Sequence, residues 1–477
     1  MSRFAFALTA AFAGSIVVGG CYGDTGIKLA VTPDHASLYG QTDVTISGDL
    51  AALGDVDYFS VAGIQIINPR WTPTSVTVTL QGAPKPGIYD IVIRGKKGIT
   101  IQHNLFTYDP PPTPGVPLTW MAFGASFTQG TESNGINEHT QTSGVSGQIA
   151  KAAGVFLGLP LFTPQITPPL QPSDFYPDCT QIPNTGAGAD TLESVATSPD
   201  TGYFDLRYGR LDWTLKNRDV AVGGAKVSDI LNGCHGTIAL LAHIVNDPDI
   251  DYNDAVAAET TSQIDRVEAL DPDIGFSTDL MGNDLDAAVT QPDDLDPTQI
   301  TPIDEVTPLL QEMMARLGKL HGQYFIANMP SLTFVPHVVA LREKLVDAGK
   351  DTSAFDQKSA AIDAATDAYN QALIAAVAPY PNLHIVDFKG YVDGVRNGVV
   401  VGGEMLSAKR WDGLLSLDDL HLTDTGYALY AQKFLDAINA VEHLSIPPID
   451  VETVHAADAL APQKTRAAGY SCVPAAM

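Results

Sequence analysis

Between residues 27 and 108 the apolar positions recur with a period of two. Val44 and Ile46 alternate with Thr45 and Ser47, Val76, Val78 and Leu80 alternate with threonines, and Tyr89-Asp90-Ile91-Val92-Ile93 follows the same trend. Alternation of this kind, carried by β-branched residues, predicts half-buried strands. Gly40, Gly48, Gly63, Gly87 and Gly98 punctuate the runs, leaving no stretch with room for a helix of ordinary length. The segment therefore predicts a small all-β sandwich that buries one face of each sheet.

Beyond Asp109-Pro110-Pro111-Pro112-Thr113-Pro114 the pattern changes. Short apolar runs at 118–123, 220–222, 274–281, 323–328 and 383–388 read as strands. Longer segments of helical periodicity lie at 306–317, 338–348 and 355–378. Such alternation predicts an α/β domain over 116–446, with a parallel sheet covered on both faces in a three-layer sandwich. Ser126, Gly224 and Asn283 each fall just past a strand, where a cleft forms in sheets of this type. Residues 131–210 and 286–302, rich in Pro, Gly, Thr and Asp, read as long loops that shape access. Residues 109–115 read as a stiff linker holding the two domains apart, and 447–477 as a peripheral tail.

The chain has 477 residues, 45% hydrophobic and 17% charged, with 55 acidic against 27 basic side chains and a formal charge of -28. It is long enough for two or three domains. With no basic stripe, a nucleic-acid partner is not expected. The aspartate-rich stretches 247–251 and 293–296 lack the spacing and central glycine of a calcium loop. His235, His321, His337, His384 and His421 show no metal-ligand spacing, and HExxH, phosphate-loop and redox-cofactor motifs are missing, so neither metal nor cofactor is expected.

Arg3 precedes an apolar run that ends in Val18-Gly19-Gly20-Cys21. The run has the length of an export signal rather than of a membrane span. Its end resembles the lipobox of bacterial lipoproteins, which implies a signal over 1–20, lipid attachment at Cys21 and a tether over 21–26. An exported, lipid-anchored protein at the outer membrane or cell surface is the expectation. Export permits disulfides; of the remaining Cys179, Cys234 and Cys472, the first two are a candidate pair.

Four short islands carry candidate chemistry: Gly124-Ala125-Ser126, Gly223-Gly224, Gly282-Asn283-Asp284 and Asp418-Asp419-Leu420-His421. Together they supply a hydroxyl nucleophile, backbone and side-chain N–H donors for an oxyanion, an imidazole base and a carboxylate to orient it. In their order and contexts they resemble the SGNH/GDSL hydrolase family, over nearly the whole of 116–446. Gly124-Ala125-Ser126 matches that family's Gly-Asp-Ser block with Ala125 in place of the aspartate. Met281-Gly282-Asn283-Asp284 is one residue tighter than the usual Gly-x-Asn-Asp. The resemblance implies a flavodoxin-like α/β fold and a Ser126–His421–Asp418 triad, with an oxyanion hole from the Ser126 and Gly224 N–H groups and the Asn283 amide. Asp419 is the adjacent rival to Asp418. Residues 27–108, from Val31-Thr32-Pro33 through Gly87-Ile88-Tyr89 to Phe106-Thr107-Tyr108, resemble the immunoglobulin-like IPT/TIG domain, which implies a spacer or a module for a surface partner; because every candidate site residue lies beyond the proline linker, this part is expected to be dispensable for hydrolysis of small esters.

The expectation is thus a serine esterase or lipase-like hydrolase acting on a lipid ester or an acylated glycan. The alternatives are an inactive cell-surface binding protein of the same fold, or an acyltransferase using the same site.

Overall fold

The computed structural model describes residues 25–65, 69–162, 168–178, 181, 209–212, 215–235, 237–246 and 260–470. The signal, Cys21, Cys179 and Cys472 lie outside these residues. Among the described residues no helix is long and apolar enough to cross a membrane.

The N-terminal part is β-rich. Two sheets, one of four strands and one of five, close on a single apolar core. In the strand Ser75–Leu80, Val76, Val78 and Leu80 are buried while the intervening threonines are not, and Val44 and Ile46 do the same in Thr42–Ser47. Period-two burial is what places these residues against Phe59, Ile91, Ile93 and Phe106 of the other sheet. One short 3₁₀ turn, Leu50–Leu53, is the helical content described here.

The C-terminal part is an α/β domain. Strands Trp120–Ala122, Ile274–Ser277, Gln323–Ala327 and Leu383–Val386 pair in parallel, side by side in that order. On the free edge of Trp120–Ala122 the chain at 218–222 runs parallel to it. The Ala122 N–H donates to the Arg218 carbonyl, and the Val220 and Val222 N–H groups donate to Ala122 and Gly124. Counting this segment, the spatial order is 2-1-3-4-5, with the reversal at the first strand, where sheets of this kind open a crevice at their carboxyl ends. Helices Ile303–Leu317, Pro336–Asp347 and Ser353–Val377 match the expected segments closely. The central strands are buried along their whole length, as befits a sheet covered on both faces.

Three expectations change. The 131–210 region holds the helix Val145–Ala153, which packs on the long helix Asp424–Glu442. Seven of its nine residues are buried, so no polar face marks its period. The tail, expected to be peripheral and partly ordered, is docked on the domain as far as residue 470. Helix Val451–Ala457 rests on Asp424–Glu442, Asp458 accepts from the Thr425 N–H and hydroxyl, and Leu460 packs with Trp411 and Leu417. Nor does the proline segment hold the domains apart. Phe156 and Leu215 of the α/β domain join the core of the β domain, while Tyr39 joins a core of the α/β domain. The Arg218 guanidinium lies 5.1 Å over the Phe156 ring at this seam.

Candidate functional site

Ser126 opens a single helical turn, Ser126–Gln129, just after the first sheet strand. A turn this short adds little dipole; the surrounding side chains fix it instead. Gly124 has φ +142, and a Cβ there would meet Thr128 Oγ1 at 2.6 Å and Asp279 Oδ1 at 2.8 Å. Its N–H donates to Gln263 Oε1, and its carbonyl accepts from Gln263 Nε2. The buried Asp279 accepts from the Ala125 N–H at 2.9 Å, the Phe127 N–H at 2.7 Å and the Thr128 hydroxyl at 2.7 Å. Burial raises the Asp279 carboxyl, and these donors oppose that rise. Asp279 and Gln263 are the residues that the sequence reading missed. The signal was the methyl of Ala125, which leaves the turn without a carboxylate of its own.

His421 reaches Ser126 from a loop 295 residues further on, between Leu415 and the helix Asp424–Glu442. Its Nε2 lies 2.8 Å from Ser126 Oγ and its Nδ1 lies 2.7 Å from Asp418 Oδ2. An ionised carboxylate only accepts, so Nδ1 carries the proton and Nε2 accepts from the serine hydroxyl. Asp418 Oδ1 also accepts from the Leu420 and His421 N–H groups, and Oδ2 from the Asn134 N–H at 2.5 Å. Burial alone would raise Asp418; the facing His421 charge and these hydrogen bonds outweigh it and hold the carboxyl well below the usual range. Burial pulls His421 down, but Asp418, with Asp279 and Asp286 further off, leaves it above its ordinary 6.5. Asp419 turns away, at φ +62, and pairs with Arg410.

The Gly223-Gly224 island sits beside the serine: a Cβ on Gly223 would lie 3.7 Å from Ser126 Cβ. The Gly223 N–H is taken by Gln129 Oε1 at 2.7 Å. Gly224, at φ +84, and Ser126 have backbone N–H groups without an acceptor among the described residues. Asn283 gives one amide N–H to the Ala225 carbonyl at 2.9 Å, which ties the second and third islands together and leaves its other N–H. Asp284 accepts from the Val227 N–H and so caps the helix Val227–Asn232.

Two clefts flank this group. One holds about 970 Å3 of space counted out to its mouth, and is lined in part by Ser126, Gly282 and Asn283. Phe127, Met329, Leu332, Phe334, Val392 and Leu414 make its walls predominantly apolar. The other, of about 850 Å3, contains His421, Asp418, Asp419, Arg410, Asn134 and Thr290 and is predominantly polar.

Behind Asp418 lies a second set of acids. Glu132, Asp424 and Asp458 are all buried. Asp424 Oδ2 lies 3.0 Å from His139 Nε2, while Glu132 Oε2 and Asp424 Oδ1 find no donor among the described residues. Burial, then Asp424 and Asp458, push Glu132 well above the ordinary carboxylate range.

Of the expected Cys179–Cys234 pair, Cys234 is a buried thiol with no disulfide among the described residues. Its backbone N–H donates to Thr260 Oγ1, and burial pushes the thiol up to about 12. Cys179 lies outside the described residues.

No family model and no curated protein matches the chain. Among solved structures it is similar to the YXIM protein of Bacillus subtilis at 10% identity, over 85% of this chain and 79% of that one, with a TM-score of 0.27. It is also similar to a carbohydrate acetylesterase from Xanthomonas citri at 10% identity, over 76% and 68% of the two chains, with a TM-score of 0.22. Likeness at this level carries no argument about chemistry.

Proposed function

We propose that the protein is a serine ester hydrolase of the SGNH type, with Ser126 as nucleophile, His421 as general base and acid, and Asp418 as the group that orients it. One observation carries this reading: the unbroken hydrogen-bonded chain from Asp418 through His421 to Ser126, at 2.7 and 2.8 Å. A serine at hydrogen-bond distance from an imidazole that a buried carboxylate holds in one tautomer is the arrangement acyl transfer requires.

Ser126 Oγ attacks the ester carbonyl as its proton passes to His421 Nε2. The oxyanion that develops is met by the Ser126 and Gly224 N–H groups and the remaining Asn283 N–H. His421 then gives its proton to the departing alkoxide. Water, deprotonated by His421, cleaves the acyl-enzyme, and Ser126 recovers its proton. The raised His421 suits a base that must hold a proton between two steps near neutral pH.

The finer assignments belong to the same proposal: an IPT/TIG-like module over 27–108, and export with a lipid tether at Cys21. Replacing Ser126 with alanine is expected to lower kcat/KM on p-nitrophenyl butyrate by about a thousandfold or more, and to abolish covalent labelling by a fluorophosphonate. Full turnover by the Ser126→Ala variant sinks the assignment.

A further inference from the structure

The two clefts differ in chemistry and in which reacting group they contain. Resting on the ester-hydrolase reading, we propose that the apolar cleft is the acyl site and the polar cleft the alcohol site, so that the substrate is an amphiphilic ester: a medium- or long-chain fatty acid joined to a small, uncharged, hydroxyl-rich alcohol.

Connectivity carries the assignment. In the acylation step the bond from Ser126 Oγ to the carbonyl carbon forms as the carbon–oxygen bond to the alcohol breaks. The acyl group stays on Ser126 until water displaces it, so the acyl site must contain Ser126. The apolar cleft does, and it also contains Asn283 for the carbonyl oxygen. The departing alcohol oxygen must receive the proton on His421 Nε2, so the alcohol site must adjoin His421. The polar cleft does.

The linings then state what each site accepts. From Ser126 the apolar cleft runs past Phe127, Met329 and Leu332 toward Phe334, Val392 and Val395. An acetyl group would leave most of that surface wet, whereas each methylene of a longer chain removes apolar area from water on both partners. Asp279 and Asp286 line this cleft, and the one cation among its described lining residues, Arg396, is paired with Asp393, which disfavours an anionic group there. In the polar cleft, Asp418 is committed to His421, and Arg410 to Asp419. Asn134 and Thr290 add side chains that both donate and accept. Such a lining matches hydroxyls, with no free cation among the described lining residues to hold a phosphate.

The test measures kcat/KM of the purified protein on p-nitrophenyl acetate, butyrate and octanoate, and on glycerol mono-octanoate against octyl acetate, in which the long chain sits on the alcohol. The expected result is a rise of at least about tenfold from acetate to octanoate, with glycerol mono-octanoate preferred over octyl acetate. Val395→Trp, which fills part of the apolar cleft, should lower the octanoate-to-acetate ratio by about fivefold or more. Ala408→Phe narrows the same cleft from a different segment and serves if the first variant folds poorly. A flat or falling chain-length profile, or an octyl acetate preference, overturns the assignment of the clefts. If Ser126 still labels with a fluorophosphonate in that case, the hydrolase reading survives. No labelling and no turnover of any ester brings down both.

Discussion

Asp418 and Glu132 lie across one short turn from each other, since the Asn134 N–H that Asp418 accepts is two residues on from Glu132. Glu132 is buried and Asp418 nearly so, yet their surroundings treat them in opposite ways. Asp418 collects an imidazole, three backbone N–H groups and the Ser416 hydroxyl at 3.2 Å, and is held ionised. Glu132 has one oxygen with no donor and faces Asp424. A proton kept on Glu132 would supply the donor that this pair lacks. Burial by itself therefore decides little. The count of donors around a carboxyl decides whether its charge is an asset to the fold or a liability.

The strongest way to break this comparison is to remove the charge at Asp418. Asp418→Asn keeps the shape but presents an amide that can no longer fix the His421 tautomer. The expected loss in kcat/KM is about three orders of magnitude or more. A loss below tenfold on small esters would mean that Asp418 does not orient the base.

Glu132→Gln should do the reverse and stabilise. Its amide donates at every pH, whereas Glu132 donates only while it keeps a proton, and the expected gain in unfolding free energy is about 1–3 kcal/mol at neutral pH. The sign follows from linkage. Glu132 is raised in the folded state, so its contribution is favourable below its unfolded value and is lost as pH climbs through its folded value. The advantage of the glutamine variant should thus be small in acid and grow with pH. Denaturant melts at several pH values measure it, and a gain that grows in acid would show the pair to be ionised and satisfied.

The smallest effect tunes His421. Its base form is the active one, and it sits above 6.5, so kcat/KM should fall below neutral pH along an acid limb set by that group. Asp286, one of the charges that raises it, lines the apolar cleft and makes no bond to the imidazole. Asp286→Asn should move the limb down by a few tenths of a pH unit. An unmoved limb would show that Asp286 carries no charge in the resting site.

What the sequence disclosed follows the same logic of visible and hidden neighbours. The β strands were legible because Val76, Val78 and Leu80 alternate with threonines. The sheet strands were legible because they are short, mostly apolar runs, such as Tyr324-Phe325-Ile326-Ala327. Ser126, His421 and Asp418 stood out by spacing, and the fold brings those three together. Helix Val145–Ala153 stayed hidden because it is buried nearly all round, down to Gly147, where a Cβ would meet the Thr142 carbonyl at 2.5 Å. Asp279 stayed hidden because its partners lie more than 150 residues away and all but the Thr128 hydroxyl are backbone N–H groups. Those groups exist at every position and mark none. The Cys179–Cys234 pairing rested on loop-like flanks alone, and the burial of Cys234 is invisible at that level.

The seam at Phe156 and Arg218 bears on how such a gene can be cut. A boundary drawn at the proline run looks natural on the page, yet it would strip the cover from Phe156 and Leu215 and leave a greasy scar on the freed piece. The edge segment that starts at Arg218, under that scar, runs straight to Gly223 beside the serine. Shuffling the two halves apart therefore asks more than a new linker: a transplanted α/β half would have to bring a substitute lid for the seam, or accept polar replacements at both positions.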